Sequence, residues 1–234
     1  MKVSVDLTQA TPYEENLTGL AKFKRRLTHR FYIRAIRKVF GAQPFRVIDI
    51  GTGSGSFLKE VQRNFSDAKL SGLEYDPRLV ERTNVVLGTE ICQQGNAESP
   101  PEFPEPFDCL TTFQVIEHLY KPEVFLEKIH NLLRPDGLLI LTTPNLECVA
   151  QRTLGKKWHG FRDDHVSLKS VNDWDALIQS HGFSPVFVGS TFFSGIPWMN
   201  RLPLGVLNWA LLFAFGAVHW RHGESFVGIY RRLG

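Results

Sequence analysis

The sequence has few cysteines, and no two of them lie close together. Its three cysteines, Cys92, Cys109 and Cys148, form no Cys-x-x-Cys pair. This argues against a disulfide framework and a zinc site, and it is typical of a protein of the reducing cytoplasm. The first residues also lack the apolar core and small-residue cleavage site of a secretory signal. We therefore predict a cytoplasmic location.

The sequence also lacks an excess of charge. Its formal net charge is only +3 over 234 residues, and its contents of charged (22%) and hydrophobic (43%) residues are ordinary for a soluble globular protein. A net charge this small does not by itself indicate nucleic-acid binding. The chain has no internal repeat and no low-complexity tract, and its length suits one core. We therefore predict a single domain over residues 1–234.

Short β-rich runs alternate with amphipathic runs of helical length from residue 45 to about 143. The predicted strands cover 45–50, 68–75, 90–95, 107–114 and 138–144, and two further strands cover 184–190 and 224–232. The predicted helices cover 56–65, 77–87 and 122–133, and a fourth lies within 170–183 and ends before Gly182. Strands interleaved with helices predict an α/β fold, with a parallel sheet that helices cover on both faces.

A glycine-rich loop follows the first predicted strand in the stretch VIDIGTGSGSF, residues 47–57. A phosphate loop would need GxxxxGK, but no lysine occurs before Lys59, and a GxGxxG dinucleotide loop would need glycine where the chain has Ser56. The pattern is instead GxGxG, formed by Gly51, Gly53 and Gly55. Such spacing lets a ligand approach the backbone closely, at the strand end where ligands bind in open parallel sheets.

Two polar residues follow the next two predicted strands. Glu74 closes the second strand, and its carboxylate could accept hydrogen bonds from the vicinal ribose hydroxyls of either NAD or S-adenosylmethionine. Asn96 follows the third strand and could recognise an adenine edge. Together with the glycine loop, these residues favour a bound adenosine cofactor over a simple tight turn.

The ordered motifs VIDIGTGSGSF, LEYDP, GNAE, FQVIEHL, LLRPDGLLILTTPN and a late HGF resemble those of class I S-adenosylmethionine-dependent methyltransferases. The subgroup they resemble most contains the ubiquinone-biosynthesis O-methyltransferases, as the Glu-His of IEHL and the TTPN stretch suggest. The resemblance covers roughly residues 40–190. It implies a Rossmann-like, seven-stranded, mostly parallel sheet whose last strand is antiparallel, and it implies S-adenosyl-L-methionine as cofactor.

The resemblance also implies roles for individual residues of this sequence. The loop around the methionine and ribose would comprise Asp49, Gly51, Thr52, Gly53 and Gly55, and Glu74 would bind the ribose hydroxyls. Tyr75, Asn96 and Ala97 would flank the adenine. Gln114 and Val115 would lie under the cofactor near its sulfonium.

His118 is the candidate general base, because transfer to a hydroxyl requires removal of a proton. It could also be a helix-start residue that only shapes the site. Glu117 could orient His118, hold a substrate or cap a helix. The ubiquinone-type enzymes carry an additional acid where this chain has Gln114, and a metal role has been proposed for that cluster. Because a neutral amide is a poorer metal ligand than a carboxylate, we predict no metal.

The segment GKKWHGFRDDHVSL, residues 155–168, follows the fifth predicted strand and should lie over the mouth of the site. Its candidates for contact with the methyl acceptor are Trp158, His159, Arg162 and His165. The alternative for each is a residue of an ordinary surface loop.

Two segments near the ends of the chain are unusual. Residues 21–40 hold eight Lys or Arg and no acid, and their apolar residues recur at roughly helical spacing. Residues 202–220 hold no Lys, Arg, Asp or Glu. The first could cover the site or lie on anionic lipid. The second could be a lid, a dimer surface or a shallow membrane contact; the strand predicted just after it argues against a membrane span. We therefore divide the domain into a basic helical cap (1–44), a cofactor-binding core (45–146) and a substrate-side region (147–234) with an apolar insertion (192–222).

The leading hypothesis is a methyltransferase that acts on an oxygen of a small or lipidic acceptor, in the cytoplasm and peripheral to an anionic membrane. The alternatives are a noncatalytic methyltransferase-like domain that binds only a cofactor or partner, and an NAD-dependent oxidoreductase. Nucleic acid is not favoured as a partner, because the basic charge is confined to one helix. The sequence does not determine the oligomeric state.

Overall fold

The computed structural model describes residues 19–191, 196–201 and 203–234. Its helices are α1 (Gly19–Phe40), α2 (Ser56–Asn64), α3 (Pro77–Leu87), α4 (Pro122–Leu132), α5 (Val149–Leu154), α6 (Val171–Ser180) and α7 (Leu204–Phe215). Its strands are β1 (Arg46–Ile50), β2 (Lys69–Glu74), β3 (Cys92–Gln94), β4 (Phe107–Phe113), β5 (Leu133–Pro144), β6 (Phe183–Thr191), β7 (Ala217–Val218) and β8 (Ser225–Arg232).

All the described strands belong to one sheet with the order β3-β2-β1-β4-β5-β8-β6-β7. Strands β1 to β5 are parallel, and β8 lies antiparallel between β5 and β6. The predicted α/β fold, with its antiparallel last strand, is therefore confirmed. The sheet has eight strands rather than seven because the two-residue β7 pairs with the end of β6.

Alternate residues of the central strands enter two separate hydrophobic cores. Ile48 and Ile50 of β1 lie in one core with side chains of α4 and α6, whereas Val47 lies in the other with side chains of α1 and α2. The strand period of two residues explains this division. Helices therefore cover both faces of the sheet, as predicted.

Strand β5 begins five residues earlier than predicted, at Leu133 rather than at 138. Residues Arg134–Gly137 lie within the strand, with Asp136 at a φ of 60°. Helix α6 begins after Ser170, whose side chain accepts a hydrogen bond from the Asp173 N–H. It ends at Ser180, before Gly182, as predicted.

The uncharged run 202–220 contains α7, a helix of 12 residues. No helix within the described residues is long and apolar enough to cross a membrane. Residues 1–18 of the predicted cap, and residues 192–195 and 202 of the predicted insertion, lie outside the described residues. The division into cap, core and substrate-side region stays a prediction.

Candidate functional site

The glycine loop lies between β1 and α2, at the carboxyl edge of the sheet. The strand order reverses there, because β2 and β4 lie on opposite sides of β1. Gly51, Gly53 and Gly55 all have positive φ angles, of 79°, 53° and 72°. In an open α/β sheet, this crevice is the expected position for a ligand.

Two of these glycines serve different purposes. A Cβ atom on Gly51 would lie 2.3 Å from Cγ2 of Val115, so the close approach of β1 and β4 requires glycine there. A Cβ atom on Gly53 would meet no atom within 4 Å. The space beside Gly53 is therefore open to a ligand.

Glu74 is buried at the end of β2 and connects that strand to the glycine loop. Its Oε2 accepts a hydrogen bond from the Gly53 N–H at 2.8 Å. Its Oε1 accepts hydrogen bonds from the N–H groups of Tyr75 (2.8 Å) and Asp76 (3.2 Å). A carboxylate has about four acceptor positions, so it retains capacity for a ligand hydroxyl.

Asp49 is buried in β1, and its Oδ1 accepts a hydrogen bond from the hydroxyl of Thr111 at 2.7 Å. Burial raises the pKa of its carboxyl to about 8, and the charge of Glu74 acts in the same direction, whereas the Thr111 hydrogen bond opposes it. The side chain of Thr52 is also buried, with its Oγ1 3.2 Å from Oγ1 of Thr83. Thr52 therefore presents only its backbone to the loop surface.

The residues predicted around an adenine meet at the ends of β2 and β3. Tyr75 is exposed, and its carbonyl oxygen accepts a hydrogen bond from Nε2 of Gln94 at 3.3 Å. Oδ1 of Asn96 accepts a hydrogen bond from the N–H of Glu98 at 2.9 Å. Ala97 packs against the core. The structure thus brings Tyr75, Asn96 and Ala97 to the same edge as Glu74.

Gln114 follows β4 and has a φ of 57°, which is uncommon outside glycine. Its N–H donates to the carbonyl oxygen of Thr142 at 2.9 Å, and its Nε2 donates to the Thr142 hydroxyl at 3.2 Å. A backbone conformation of this kind costs about 1–3 kcal/mol and is common at functional sites. Gln114 directly precedes Val115, whose side chain faces Gly51, so Gln114 lies close to the glycine loop.

Glu117 is completely buried in the short 3-10 helix Ile116–His118. Its Oε2 accepts a hydrogen bond from the Thr143 hydroxyl at 3.0 Å, whereas its Oε1 has no hydrogen-bond partner among the described residues. Burial raises the pKa of the Glu117 carboxyl to about 7, and the Thr143 hydrogen bond opposes this shift. A buried carboxyl with one oxygen that lacks a hydrogen bond lowers the stability of the fold, so Glu117 is a strong candidate for a functional group.

His118 and His165 lie beside Glu117. Nδ1 of His118 is 2.9 Å from the carbonyl oxygen of Asp164, and Nδ1 of His165 is 2.8 Å from that of Gly160. A carbonyl accepts only, so each neutral imidazole carries its proton on Nδ1 and has a free lone pair on Nε2. Burial lowers the pKa of His165, whereas the hydrogen bond to the Gly160 carbonyl opposes this shift.

Glu117, His118 and His165 offer ligand atoms within 4.8 Å of one another, and such a set could hold a metal ion. Two ligand atoms that each lie about 2.1 Å from one ion are at most about 4.2 Å apart. A spread of up to 4.8 Å is wider than this, so the set would have to contract around an ion.

The sequence model of the methyltransferase domain family matches residues 23–187. The chain belongs to this family. It is 31% identical over 128 residues to a ubiquinone biosynthesis O-methyltransferase of Maricaulis maris, and this match covers 50% of each chain. It is 29% identical over 102 residues to a probable S-adenosylmethionine-dependent methyltransferase of Mycolicibacterium smegmatis, and this match covers 42% of this chain and 38% of the relative. The chain thus spans about half or less of the length of these two relatives.

Solved structures share the fold of this methyltransferase domain. One is a methyltransferase from Thermotoga maritima, described as a possible histamine N-methyltransferase, with a TM-score of 0.63 and 20% identity. The match covers 92% of this chain and 96% of that one. The family and the fold imply S-adenosylmethionine as cofactor. The residues present fit it, because the space beside Gly53 is open and Glu74 retains acceptor capacity.

The methyltransferase domain does not present all four predicted acceptor residues to its surface. Trp158 is 1% exposed, and its Nε1 donates to Oε1 of Glu224 at 2.8 Å. The expectation that Trp158 faces the acceptor is therefore corrected, because its ring packs in a small core with Cys148 and Ile196. His159 is exposed, with Nε2 3.1 Å from the same oxygen of Glu224.

Arg162 is exposed and pairs with Asp164, with Nε and Oδ1 2.9 Å apart. Only His165 of the four joins the Glu117–His118 cluster. Hydrogen bonds hold its segment in place: the N–H of Ser167 donates to the Glu117 carbonyl at 2.9 Å, and the Ser167 hydroxyl donates to the Leu119 carbonyl at 2.7 Å.

Sequence reasoning missed three residues that position the site, namely Thr143, Asp164 and Glu224. Thr143 lies within the TTPN stretch, so that motif offered a signal. Asp164 and Glu224 acquire their importance only through contacts with residues far away in the sequence. No local pattern distinguishes them from ordinary acidic residues.

Proposed function

We propose that this chain is an S-adenosylmethionine-dependent methyltransferase that transfers a methyl group to an oxygen of a small or lipidic acceptor. The observation that carries the proposal is the closeness of two features at one sheet edge. The open glycine loop with Glu74 lies at the end of β1, and the Glu117–His118–His165 cluster follows β4, the next strand in the sheet. One feature suits a cofactor, and the other suits proton removal from an acceptor.

The cofactor residues divide by the part of the molecule that they would hold. Asp49, Gly51, Gly53, Gly55 and the Thr52 backbone would contact the methionine and ribose portions, and Glu74 would accept hydrogen bonds from the ribose hydroxyls. Tyr75, Asn96 and Ala97 would flank the adenine, and Gln114 and Val115 would lie near the sulfonium. The bound cofactor supplies an electrophilic methyl group, so the protein must align the acceptor and exclude water.

Nε2 of His118 would accept the proton of the acceptor hydroxyl. The Asp164 carbonyl fixes the tautomer that leaves this nitrogen basic, and the adjacent Asp164 carboxylate, with Oδ2 3.5 Å from Nδ1, would stabilise the imidazolium. This role for His118 needs no metal ion. His165, His159 and Arg162 would contact the acceptor.

The preference for oxygen rests on a base next to the cofactor loop and on the names of relatives. Several relatives are ubiquinone biosynthesis O-methyltransferases, at 25–31% identity. A neutral amine can attack the methyl group before it loses a proton, so a base beside the acceptor matters more for a hydroxyl than for an amine. A cytoplasmic location at an anionic membrane suits a lipidic acceptor.

The experiment is calorimetry with S-adenosylhomocysteine and with NAD, followed by a transfer assay. We expect S-adenosylhomocysteine to bind and NAD not to bind. Radiolabelled S-adenosylmethionine is then offered to a panel of phenols, catechols and amines, and we expect label in the hydroxyl compounds. Binding of NAD alone would favour the oxidoreductase. Cofactor binding without transfer to any acceptor would favour the noncatalytic alternative.

A further inference from the structure

A row of arginines lies along the exposed face of α1. Arg26, Arg30 and Arg34 are spaced four residues apart, so they lie on one side of the helix, and all three are exposed. They line a surface cavity of about 400 Å³ together with Arg37 and Glu60. None of the first three forms a salt bridge with a described residue.

The balance of charge in this cavity is strongly positive. Arg37 hydrogen-bonds to Asn64, with Nη2 and Oδ1 3.1 Å apart. Among the described residues, Glu60 is the one acid that lines the cavity, and it pairs with Arg63 at 3.0 Å. No acid in the described part of the chain therefore balances the charge of the three remaining arginines. A row of guanidinium groups is suited to phosphate oxygens.

Helix α7 lies against α1 and exposes apolar side chains beside this row. Leu27 of α1 packs against the buried Leu212 and the partly buried Trp209. On the outer surface, Val206, Leu207 and Phe213 remain 61%, 57% and 57% exposed. No charged residue occurs between residues 202 and 220.

Phe213 connects the two parts of this surface. The guanidinium carbon of Arg30 lies 5.2 Å from the centroid of the Phe213 ring, and Phe213 also lines the arginine cavity. The basic row and the apolar helix are therefore one continuous surface, here named the α1–α7 face: Arg26, Arg30 and Arg34 with Val206, Leu207 and Phe213. A basic stripe next to a protruding apolar stripe has the form of an interfacial membrane surface.

The position of α7 follows from the sheet register. Strands β5 and β6 both pair antiparallel with β8, so they run in the same direction. The connection from β6 to β8, which contains α7, therefore leaves the sheet at the same edge as the glycine loop. At that edge Tyr32 of α1 stacks on Phe113, at the end of β4, with centroids 4.9 Å apart. The α1–α7 face thus adjoins the edge that carries the candidate site.

We propose that the α1–α7 face docks the protein on a membrane that contains anionic phospholipid. The arginines contact lipid phosphates, while Val206, Leu207 and Phe213 enter the apolar boundary below them. A second copy of the chain is a poorer occupant, because a two-fold contact brings the same surface patch of each copy together and would oppose the two arginine rows. Nucleic acid would match the arginines but would leave the apolar side chains exposed.

The test is cosedimentation of the full chain with vesicles of phosphatidylcholine, with and without phosphatidylglycerol. We expect binding only when phosphatidylglycerol is present, and we expect added salt to release much of the protein, because surface electrostatics are screened. The variant R30Q/R34Q should bind roughly 30-fold more weakly, since each basic residue near the surface contributes about a fivefold factor. The control K69Q/K128Q removes the same charge from exposed lysines of β2 and α4 and should bind like the unmodified chain.

The apolar part of the face has its own matched pair of variants. V206S/L207S should weaken vesicle binding at least tenfold, whereas V85S/V186S, at exposed valines of α3 and β6, should not weaken it. No sedimentation with anionic vesicles at low salt would overturn the proposal. Equal losses of vesicle binding in a face variant and its control would also overturn it. So would a concentration-dependent dimer that V206S/L207S dissociates, if this variant still binds vesicles as the unmodified chain does. A duplex oligonucleotide that binds at the same salt and displaces the protein from vesicles would assign the arginines to nucleic acid instead.

Calorimetry with S-adenosylhomocysteine on the same variants separates this proposal from the proposed function. The face variants should retain cofactor affinity, because none of their residues belongs to the glycine loop or to the ends of β2 and β3. Vesicle binding without cofactor binding would refute the methyltransferase function and leave the membrane surface intact.

Discussion

The imidazole rings of His118 and His165 meet edge to face, with their centroids 4.8 Å apart. The two residues come from segments separated by almost fifty positions in the sequence. Each ring has its Nδ1 next to a backbone carbonyl oxygen, so each has its Nε2 available. Glu117 adds a buried carboxyl oxygen without a hydrogen-bond partner among the described residues. This cluster provides a direct test of the proposed chemistry.

Replacement of His118 by alanine should lower methyl-transfer turnover by about 10²–10⁴-fold, the usual range for loss of a general base. His165→Ala should lower turnover less, because His165 would contact the acceptor rather than take its proton. Both variants should bind S-adenosylhomocysteine as the unmodified chain does. Equal losses in the two variants, together with inactivation by a chelator and recovery on addition of Mg²⁺ or Zn²⁺, would instead make the cluster a metal site.

Glu74→Gln should weaken S-adenosylhomocysteine binding roughly 10- to 150-fold, because charge-assisted hydrogen bonds contribute about 1.5–3 kcal/mol. Both oxygens of Glu74 accept backbone N–H hydrogen bonds, whereas a glutamine amide has only one accepting oxygen. The substitution could therefore also lower stability, so the melting temperature should be measured in parallel. Glu90→Gln, at an exposed position outside the site, is the charge-matched control. Unchanged affinity in Glu74→Gln would remove this residue from the cofactor site.

Gly53→Ala should abolish or strongly weaken cofactor binding, because the new methyl group would enter the open space beside the loop. Gly41→Ala is the matched control, since Gly41 has a similar φ of 59° and a Cβ atom there would likewise meet no atom within 4 Å. Both substitutions should cost about 1–2 kcal/mol of stability through backbone strain. Calorimetry that finds equal affinity in both variants would reduce the Gly53 loop to a simple turn.

Asp49→Asn should change how stability depends on pH. Burial raises the pKa of Asp49 from 3.8 to about 8, so the folded state binds a proton that the unfolded state has lost across this interval. The Asp49 contribution to stability is therefore complete below about pH 4 and decreases as the pH rises towards 8. The asparagine variant should lose this decrease and gain about 1 kcal/mol or more over the unmodified chain near the folded-state pKa. A difference in unfolding free energy between the two chains that stays constant from pH 4 to 8 would show that Asp49 is ionised in the fold.

The alternation of strands and helices from β1 to β5 could be predicted from the sequence because each of these elements depends on local patterns. Alternating apolar residues, Pro77 at the start of α3 and the spacing of Gly51, Gly53 and Gly55 are all visible within short windows. The position of Glu74 at the end of β2 could be predicted for the same reason. These features indicated an adenosine cofactor at the carboxyl edge of a parallel sheet before any contact was known.

The contacts between distant segments were decided only by the tertiary structure. His165 lies beside Glu117 because Ser167 binds the carbonyls of Glu117 and Leu119, and Trp158 turns inward because Glu224 accepts its N–H. The pairing of β7 with β6 and the packing of α7 on α1 likewise join segments that no local pattern relates. The sequence alone therefore determined the alternating elements from β1 to β5 and the glycine loop, since these depend on neighbouring residues. The Glu117–His118–His165 cluster and the α1–α7 face depend on the path of the whole chain.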